Sequence, residues 1–318
     1  IENADVIIAT YQTLANCSDD FFCKIRHVNV DEAHTTTNVT IRAILKKCQY
    51  LKHRFGLSGT IELNTASADY YRLQEYLGPC VMIVTAKDLI DSEYSPNIYI
   101  KAIKLEYDEI GDDTIRGYCE LLDNGRGMYV NADEFGKAMY TLERQIITSH
   151  PVRLEFIVSL VKGLKMNTLI LFNDVKGKYG RTIYDKLTEQ GERAYYIDGG
   201  VGNTDREDYT RAIEKYNDVK LIASFGTFST GIDIKNVYNI IFVESYKSPV
   251  LIRQSIGRGM RELAGKYSVN IIDIVDTFGK YSIKHYKERQ TIYKDQQFPV
   301  TEHVYDLVPI YNRIAKSN

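Results

Sequence analysis

His27-Val28-Asn29-Val30-Asp31-Glu32-Ala33-His34 (HVNVDEAH) is the stretch that decides the fold of this chain. A short apolar strand runs straight into two adjacent carboxylates and a histidine. In α/β proteins with parallel sheets, ligand sites open at the carboxyl ends of the strands. Hydrolysis of a nucleoside triphosphate needs a carboxylate near Mg²⁺ and a second group that orients the attacking water. Asp31 is therefore the candidate metal ligand, acting through water, and Glu32 the candidate general base. An acidic pair that simply closes a strand at a turn has the same four letters, so the rest of the chain must decide. The phosphate-cradling pattern GxxxxGK[ST], expected ahead of such a strand, occurs nowhere in the 318 residues.

Outward from this stretch, short apolar runs alternate with helical patterns, which predicts α/β architecture with parallel sheets. Early strands are predicted at DVIIAT (Asp5 to Thr10), HVNVD, RFGLSG (Arg54 to Gly59) and VMIV (Val81 to Val84). Between the second and third, Ile41, Ile44, Leu45, Cys48 and Leu51 share one helical face. Residues 91–150 are polar and Tyr-rich, with one strand in NIYIKAIKLEY and breaks at Gly125 and Gly127, and read as a connector. A second α/β unit follows. Pro151 opens a helix with Leu154, Ile157, Val158, Val161 and Leu164 as its buried stripe. Strands are then predicted at NTLILF, RAYYID, KLIAS, NIIFVE and VNIIDIVD, with Gly191 capping a helix C-terminus. The expected domains are 1–90, a connector 91–150, 151–285, and a polar helical tail 286–318. Tandem α/β units imply a ligand cleft between them.

Ser248 to Glu262, SPVLIRQSIGRGMRE, carries the second constellation. Ser248 and Pro249 make a helix start. Gln254, Arg258 and Arg261 fall at i, i+4 and i+7 on one stripe, with Ile252, Ile256 and Met260 opposite, against the sheet. Two arginines so placed can neutralise charge developing on a γ-phosphate. A solvated basic helix face is the alternative. A third stretch, ASFGTFSTGID (Ala223 to Asp233), ends a strand. Gly226 and Gly231 let the backbone approach a ligand, Thr227, Ser229 and Thr230 offer hydroxyls to phosphates, and Asp233 can accept a ribose hydroxyl. An ordinary strand-to-helix loop uses the same residue types. Ser58 and Thr60 end another strand, and Thr10 sits in ATYQTL.

Composition narrows the class. The formal charge is −2, so any nucleic-acid binding uses local patches rather than a global basic field. Lys46, Lys47, Lys52 and Arg54 read as a solvated helix face. The five cysteines and the histidines at 27, 53, 150, 285 and 303 lack metal-ligand spacing, and the 25 tyrosines read as packing. The cysteines read as reduced thiols, which predicts a cytoplasmic protein. No apolar run approaches the roughly 18 residues of a membrane span. The chain opens without Met on a core-type strand and reads as part of a longer protein whose first domain is truncated.

The order of these stretches resembles the motif series of superfamily-two helicases and translocases: DEAH, SGT, LILFND, STGID, then QSIGRGMR, matching QxxGRxxR. The resemblance spans nearly the whole chain. It implies two tandem RecA-like parallel-sheet domains, ATP and Mg²⁺ as cofactors, and DNA, mainly its phosphate backbone, as partner. Asp31 and Glu32 then correspond to the Walker B pair, with Asp31 toward the metal. His34 resembles the residue linking nucleotide state to the other domain, and Ser58, Gly59 and Thr60 the motif coupling hydrolysis to strand movement. Gln254, Arg258 and Arg261 resemble the nucleotide-sensing glutamine and arginine fingers. Gly231, Asp233 and Gly257 fall in the nucleotide-site motifs. Thr10 and the Gly226, Thr227 and Thr230 loop resemble nucleic-acid backbone contacts. ASFGTFSTGIDIKN with QSIGRGMR looks most like phage helicases of the UvsW type, which remodel branched DNA; restriction-enzyme motors share some of these features. The departure is the missing Walker A lysine, which leaves open a non-catalytic nucleic-acid-binding remnant, as the unspecified sugar leaves open an RNA helicase.

Overall fold

The computed structural model describes residues 4–59, 67–109, 111–125, 131–173, 178–229, 234–246 and 248–315. Its contacts divide the chain into two compact units, Ile1–Val84 and Thr85–Asn318. None of the helices among the described residues is long and apolar enough to cross a membrane.

The first unit runs α1 (Tyr11–Leu14), α2 (Asp19–Cys23), β1 (His27–Val30), a 3-10 turn (Ala33–Thr37), α3 (Val39–Lys47), β2 (His53–Gly56) and α4 (Ala68–Leu77). β1 and β2 pair in parallel, from His27 opposite His53 to Val30 opposite Gly56. Helix α3 starts where Asn38 Oδ1 accepts the Thr40 N–H at 2.8 Å, supplying the first turn with an acceptor. Of the residues expected on its inner face, Ile41, Ile44, Leu45 and Cys48 are buried, while Leu51 lies beyond the helix end and is half-buried. Two of the expected strands are absent. DVIIAT and VMIV leave Val6 79%, Ile8 97%, Val81 92% and Met82 76% exposed, and neither is hydrogen-bonded into a sheet. Strand composition becomes a strand only beside a partner, and the described residues supply none.

The second unit is built on a seven-stranded, all-parallel sheet of order β5-β6-β4-β7-β8-β3-β9. Its elements are α5 (Ala86–Asp91), β3 (Asn97–Glu106), α6 (Asp113–Asn124), α7 (Ala132–Ser149), α8 (Pro151–Gly163), β4 (Thr168–Phe172), α9 (Tyr179–Glu189), β5 (Ala194–Ile197), α10 (Asn203–Lys215), β6 (Lys220–Ser224), α11 (Phe225–Ser229), β7 (Asn239–Phe242), α12 (Pro249–Gly259), β8 (Ser268–Asp276), α13 (Lys280–Asp295), β9 (Val300–Asp306) and α14 (Val308–Ala315). A parallel sheet is covered on both faces over its centre, and β4, β6 and β7 are buried along their whole length, whereas the edge strand β9 is exposed throughout. Leu169 and Leu171 of β4 enter a core with Ile252 and Ile256 of α12 and Tyr293 of α13. Ile170 and Phe172 enter the opposite core with Ile157 and Val161 of α8 and Ile183 and Leu187 of α9. Gly191 ends α9 as expected, in the left-handed region at φ +81°, with Glu192 N–H reaching Leu187 O at 3.0 Å.

Residues 91–150, expected as a connector, instead contribute to this unit. β3 pairs with β8 from Asn97 opposite Ser268 to Leu105 opposite Asp276, with Ile98, Ile100 and Ala102 buried. Helices α6 and α7 add Ile115 and Met139 to the second core. The expected polar tail 286–318 likewise holds strand β9, paired with β3, and α13 buries Tyr286, Arg289, Ile292 and Tyr293. Polar side chains enter the core there because partners await them.

Two aspartates of β8 provide those partners. Arg153 of α8 sets Nε 2.6 Å from Asp276 Oδ1 and Nη2 3.1 Å from Oδ2, and Nη2 also donates to the Val243 carbonyl at 2.7 Å. Tyr107 OH donates to Asp276 Oδ1 at 2.5 Å, and Arg153 Nη1 donates to Tyr179 OH. Arg289 of α13 holds Asp273 through Nε and Nη2, both at 2.8 Å, and donates from Nη1 to Tyr246 O at 2.8 Å. Burial works against the Arg153 charge, but Asp276, together with Tyr179 and Tyr107, more than offsets it and holds the guanidinium well above its ordinary pKa. Removing one member of such a pair leaves a buried charge unmatched, so Arg153→Leu is expected to cost about 3–5 kcal/mol of stability. Chemical denaturation of the chain measures this; a loss below about 1 kcal/mol would contradict the role given to the pair.

Candidate functional site

In the first unit the register of two strands places the acidic turn. Beyond the β1–β2 ladder, Leu57 N–H donates to Val30 O at 3.0 Å and Ala33 N–H donates to Leu57 O at 2.8 Å. The turn at Asp31 and Glu32 is thereby pinned to the chain leaving β2. Gly56 makes the approach possible, since a Cβ there would lie 2.9 Å from Ala33 Cβ and 2.7 Å from Leu77 Cδ1. Asp31 and Glu32 are both exposed, and Asp31 Oδ1 accepts the Glu32 N–H at 2.9 Å. Glu32 adopts φ 49°, ψ 53°, the left-handed region that non-glycine residues rarely occupy.

His34 joins the two predicted motifs of this unit. Its Nδ1 lies 2.9 Å from Ser58 Oγ and 3.3 Å from Glu32 Oε2. One imidazole nitrogen thus faces both the candidate base and the Ser58 hydroxyl, so a movement of the ring reaches both. Gly59 follows with open space around its Cα, while Thr60 lies outside the described residues. Thr10 serves the local backbone, where its Oγ1 accepts the Thr13 N–H at 3.3 Å and caps α1.

In the second unit, α12 begins as expected. Ser248 Oγ accepts the Leu251 N–H at 3.5 Å, and Pro249 occupies the first turn. Ile252, Ile256 and Met260 face the sheet and are buried. Gln254 and Arg258 lie one turn apart, half-buried. Arg261 departs from the expected stripe, because α12 ends at Gly259 with Met260 as its C-cap. Two glycines close together, Gly257 and Gly259, weaken helix propagation there. The Arg261 N–H turns back to Arg258 O at 3.4 Å, so the two arginines stay adjacent through a turn rather than a helix face.

Of the loop after β6, Gly226 and Thr227 are described; Thr230, Gly231 and Asp233 lie outside the described residues. Thr227 is only 7% exposed, and its Oγ1 accepts from Ser224 Oγ at 2.8 Å, so its hydroxyl serves the start of α11 rather than an open surface. Among the described residues no group of three His, Cys, Asp or Glu side chains could hold a metal ion. Asp31 and Glu32 offer exposed carboxylate oxygens, donors that suit a hard divalent cation retaining most of its waters.

Residues 153–262 match the family model of the helicase conserved C-terminal domain. The chain resembles the superfamily-two helicases. UvsW, an ATP-dependent DNA helicase of Enterobacteria phage T4, is 24% identical over 314 residues, covering 93% of this chain and 58% of the relative. The crystal structure of T4 UvsW superposes with a TM-score of 0.52 at 24% identity, over 96% of this chain and 59% of that one. Lhr, a helicase of Mycobacterium smegmatis solved with single-stranded DNA and AMP-PNP, gives a TM-score of 0.53 at 16% identity, over 89% of this chain and 33% of that one. This chain therefore spans less than two thirds of the length of these relatives.

Gly259 was not singled out by sequence, because its reason is tertiary. A Cβ there would lie 3.0 Å from Ile240 Cδ1 and 3.2 Å from Val269 Cγ1, so this glycine is where α12 touches β7 and β8. Gly257, by contrast, has nothing within 4 Å. Gly259→Ala is expected to destabilise by about 1–3 kcal/mol through overpacking. Gly257→Ala is expected to stabilise by up to about 1 kcal/mol through helix propensity. Denaturation of the two variants tests the pair; the opposite order would show that α12 is seated differently.

Proposed function

We propose that the full-length protein is an ATP-dependent DNA helicase or translocase of superfamily two, remodelling branched or duplex DNA in phage-type recombination, replication or repair. The observation that carries this reading is the acidic turn of β1 joined through His34 to Ser58. That contact links the candidate hydrolytic carboxylates to the candidate coupling motif within one unit.

Bound Mg²⁺–ATP would supply the electrophilic γ-phosphorus and its counter-charge. Asp31 would hold the metal through water. Glu32 would accept a proton from the attacking water, oriented by its backbone and by the nearby His34 ring. Arg258 and Arg261 would neutralise charge developing on the phosphoryl oxygens, with Gln254 sensing the nucleotide. Gly231, Asp233 and Gly257 would complete the nucleotide contacts. Ser58, Gly59 and Thr60 would couple hydrolysis to strand movement, and Thr10, Gly226 and Thr230 would meet the nucleic-acid backbone. Phosphate contacts of this kind give little sequence preference and strong dependence on salt. DNA rather than RNA follows the likeness to UvsW. The second reading is a non-catalytic nucleic-acid-binding remnant, which holds if the full-length protein has no GxxxxGK[ST].

Full-length protein assayed with forked, single-stranded and duplex DNA and with RNA separates these readings. The expected result is ATP hydrolysis stimulated by DNA and lost, by about a hundredfold or more, in Glu32→Gln and in Arg258→Ala. Stimulation by RNA alone would select the RNA helicase, and binding without turnover the remnant. Full turnover in either variant would overturn the residue roles.

A further inference from the structure

Helix α12 ends on a buried ammonium group. Lys266 is 6% exposed, and its Nζ donates to Gly259 O at 2.7 Å, to Arg261 O at 3.3 Å and to Lys235 O at 2.9 Å. The last carbonyls of a helix have no intrahelical donor, and the negative end of its dipole favours a cation. An ammonium has three protons, and here each meets a carbonyl, which offsets the cost of burying the charge. Burial pushes Lys266 down to about 8, against the opposing pull of Glu214, which leaves it charged at neutral pH.

The local sequence brings this side chain into place. Gly265 sits in the left-handed region at φ +82°, and the Lys266 N–H donates to Leu263 O at 3.0 Å, turning the chain back beneath the helix end. The third acceptor belongs to another segment. Lys235 follows the ASFGTFSTGID stretch, and its own N–H is held by Glu214 Oε1 of α10 at 2.9 Å. The backbone at residue 235 is therefore gripped on both its N–H and its carbonyl. At the other end of α12, Arg289 holds Tyr246 O, so the helix is tied at its entry as well.

We propose that Lys266 is a positioning residue, tying the backbone from Gly259 to Arg261 to the segment at Lys235 and so holding Arg258 and Arg261 in the setting that ATP hydrolysis requires. The inference rests on the proposed hydrolysis for its catalytic half, and on geometry alone for its structural half. Lysine provides a donor on a stem long enough to span the two segments, which no apolar residue can replace.

The test uses the full-length protein with Lys266→Met, which keeps length and loses the donors, and Lys266→Arg, which keeps a cation. Steady-state ATP hydrolysis is read beside amide hydrogen exchange in peptides covering 256–262, with residues 168–172 of β4 as the internal control. In Lys266→Met, kcat is expected to fall by about tenfold or more with KM changed less than about threefold, since misplacing a catalytic group by an ångström costs on this scale. Exchange across 256–262 quickens while β4 keeps its protection, and Lys266→Arg recovers much of both. Unchanged exchange across 256–262, unchanged kcat, or equal loss of protection in β4 would each overturn the proposal. Absence of hydrolysis in the wild type would defeat the functional reading and the catalytic half together; the exchange comparison then decides whether Lys266 ties the segment.

Discussion

The bidentate pair between Arg153 and Asp276 is the interaction on which the second unit depends. A carboxylate buried at the carboxyl end of a central parallel strand is tolerable only with a cation brought to it. Arg153 comes from α8, and the same guanidinium grips the carbonyl at Val243, where β7 ends. Tyr107 closes the other side from the end of β3. Three strand ends and a helix thus meet at one charged pair. Three residues earlier, on the opposite face of β8, Asp273 takes Arg289 from α13 in the same manner. The sheet is stapled on both faces along the edge where its loops leave.

That edge explains how the arginine-bearing segment is supported. Chain leaving β7 passes from Val243, held by Arg153, to Tyr246, held by Arg289, and enters α12 at the Ser248 cap. The Tyr246 ring also stacks on Phe225 at 4.5 Å, next to the loop after β6. Apolar contacts seat the helix on the sheet, while buried cations hold the carbonyls on either side of it. The first unit uses a sparser design, in which backbone hydrogen bonds between two strand exits set the acidic turn.

Much of this was legible in the residues. Continuous apolar runs marked β4, β6 and β7, and Ser248 with Pro249 marked the start of α12. Alternation in NIYIKAIKLEY announced a strand, but its membership in the second sheet depends on pairing with Ser268 to Asp276, far along the chain. DVIIAT and VMIV have strand composition but find no strand partner among the described residues, which composition does not reveal. The expected stripe of Gln254, Arg258 and Arg261 assumed that helical periodicity continues past Gly259, where close contact with Ile240 and Val269 governs instead. The order of motifs pointed to a shared role for DEAH and SGT; the contact between His34 and Ser58, separated by 24 positions, needed the fold.

Glu32 stands at a backbone position that favours glycine or asparagine, at a cost of about 1–2 kcal/mol for other residues. Stability and carboxylate chemistry therefore pull this position in opposite directions. In a lineage with no use for the acid, drift at residue 32 runs downhill, toward side chains at ease in that conformation. A glutamate kept there would owe nothing to the fold.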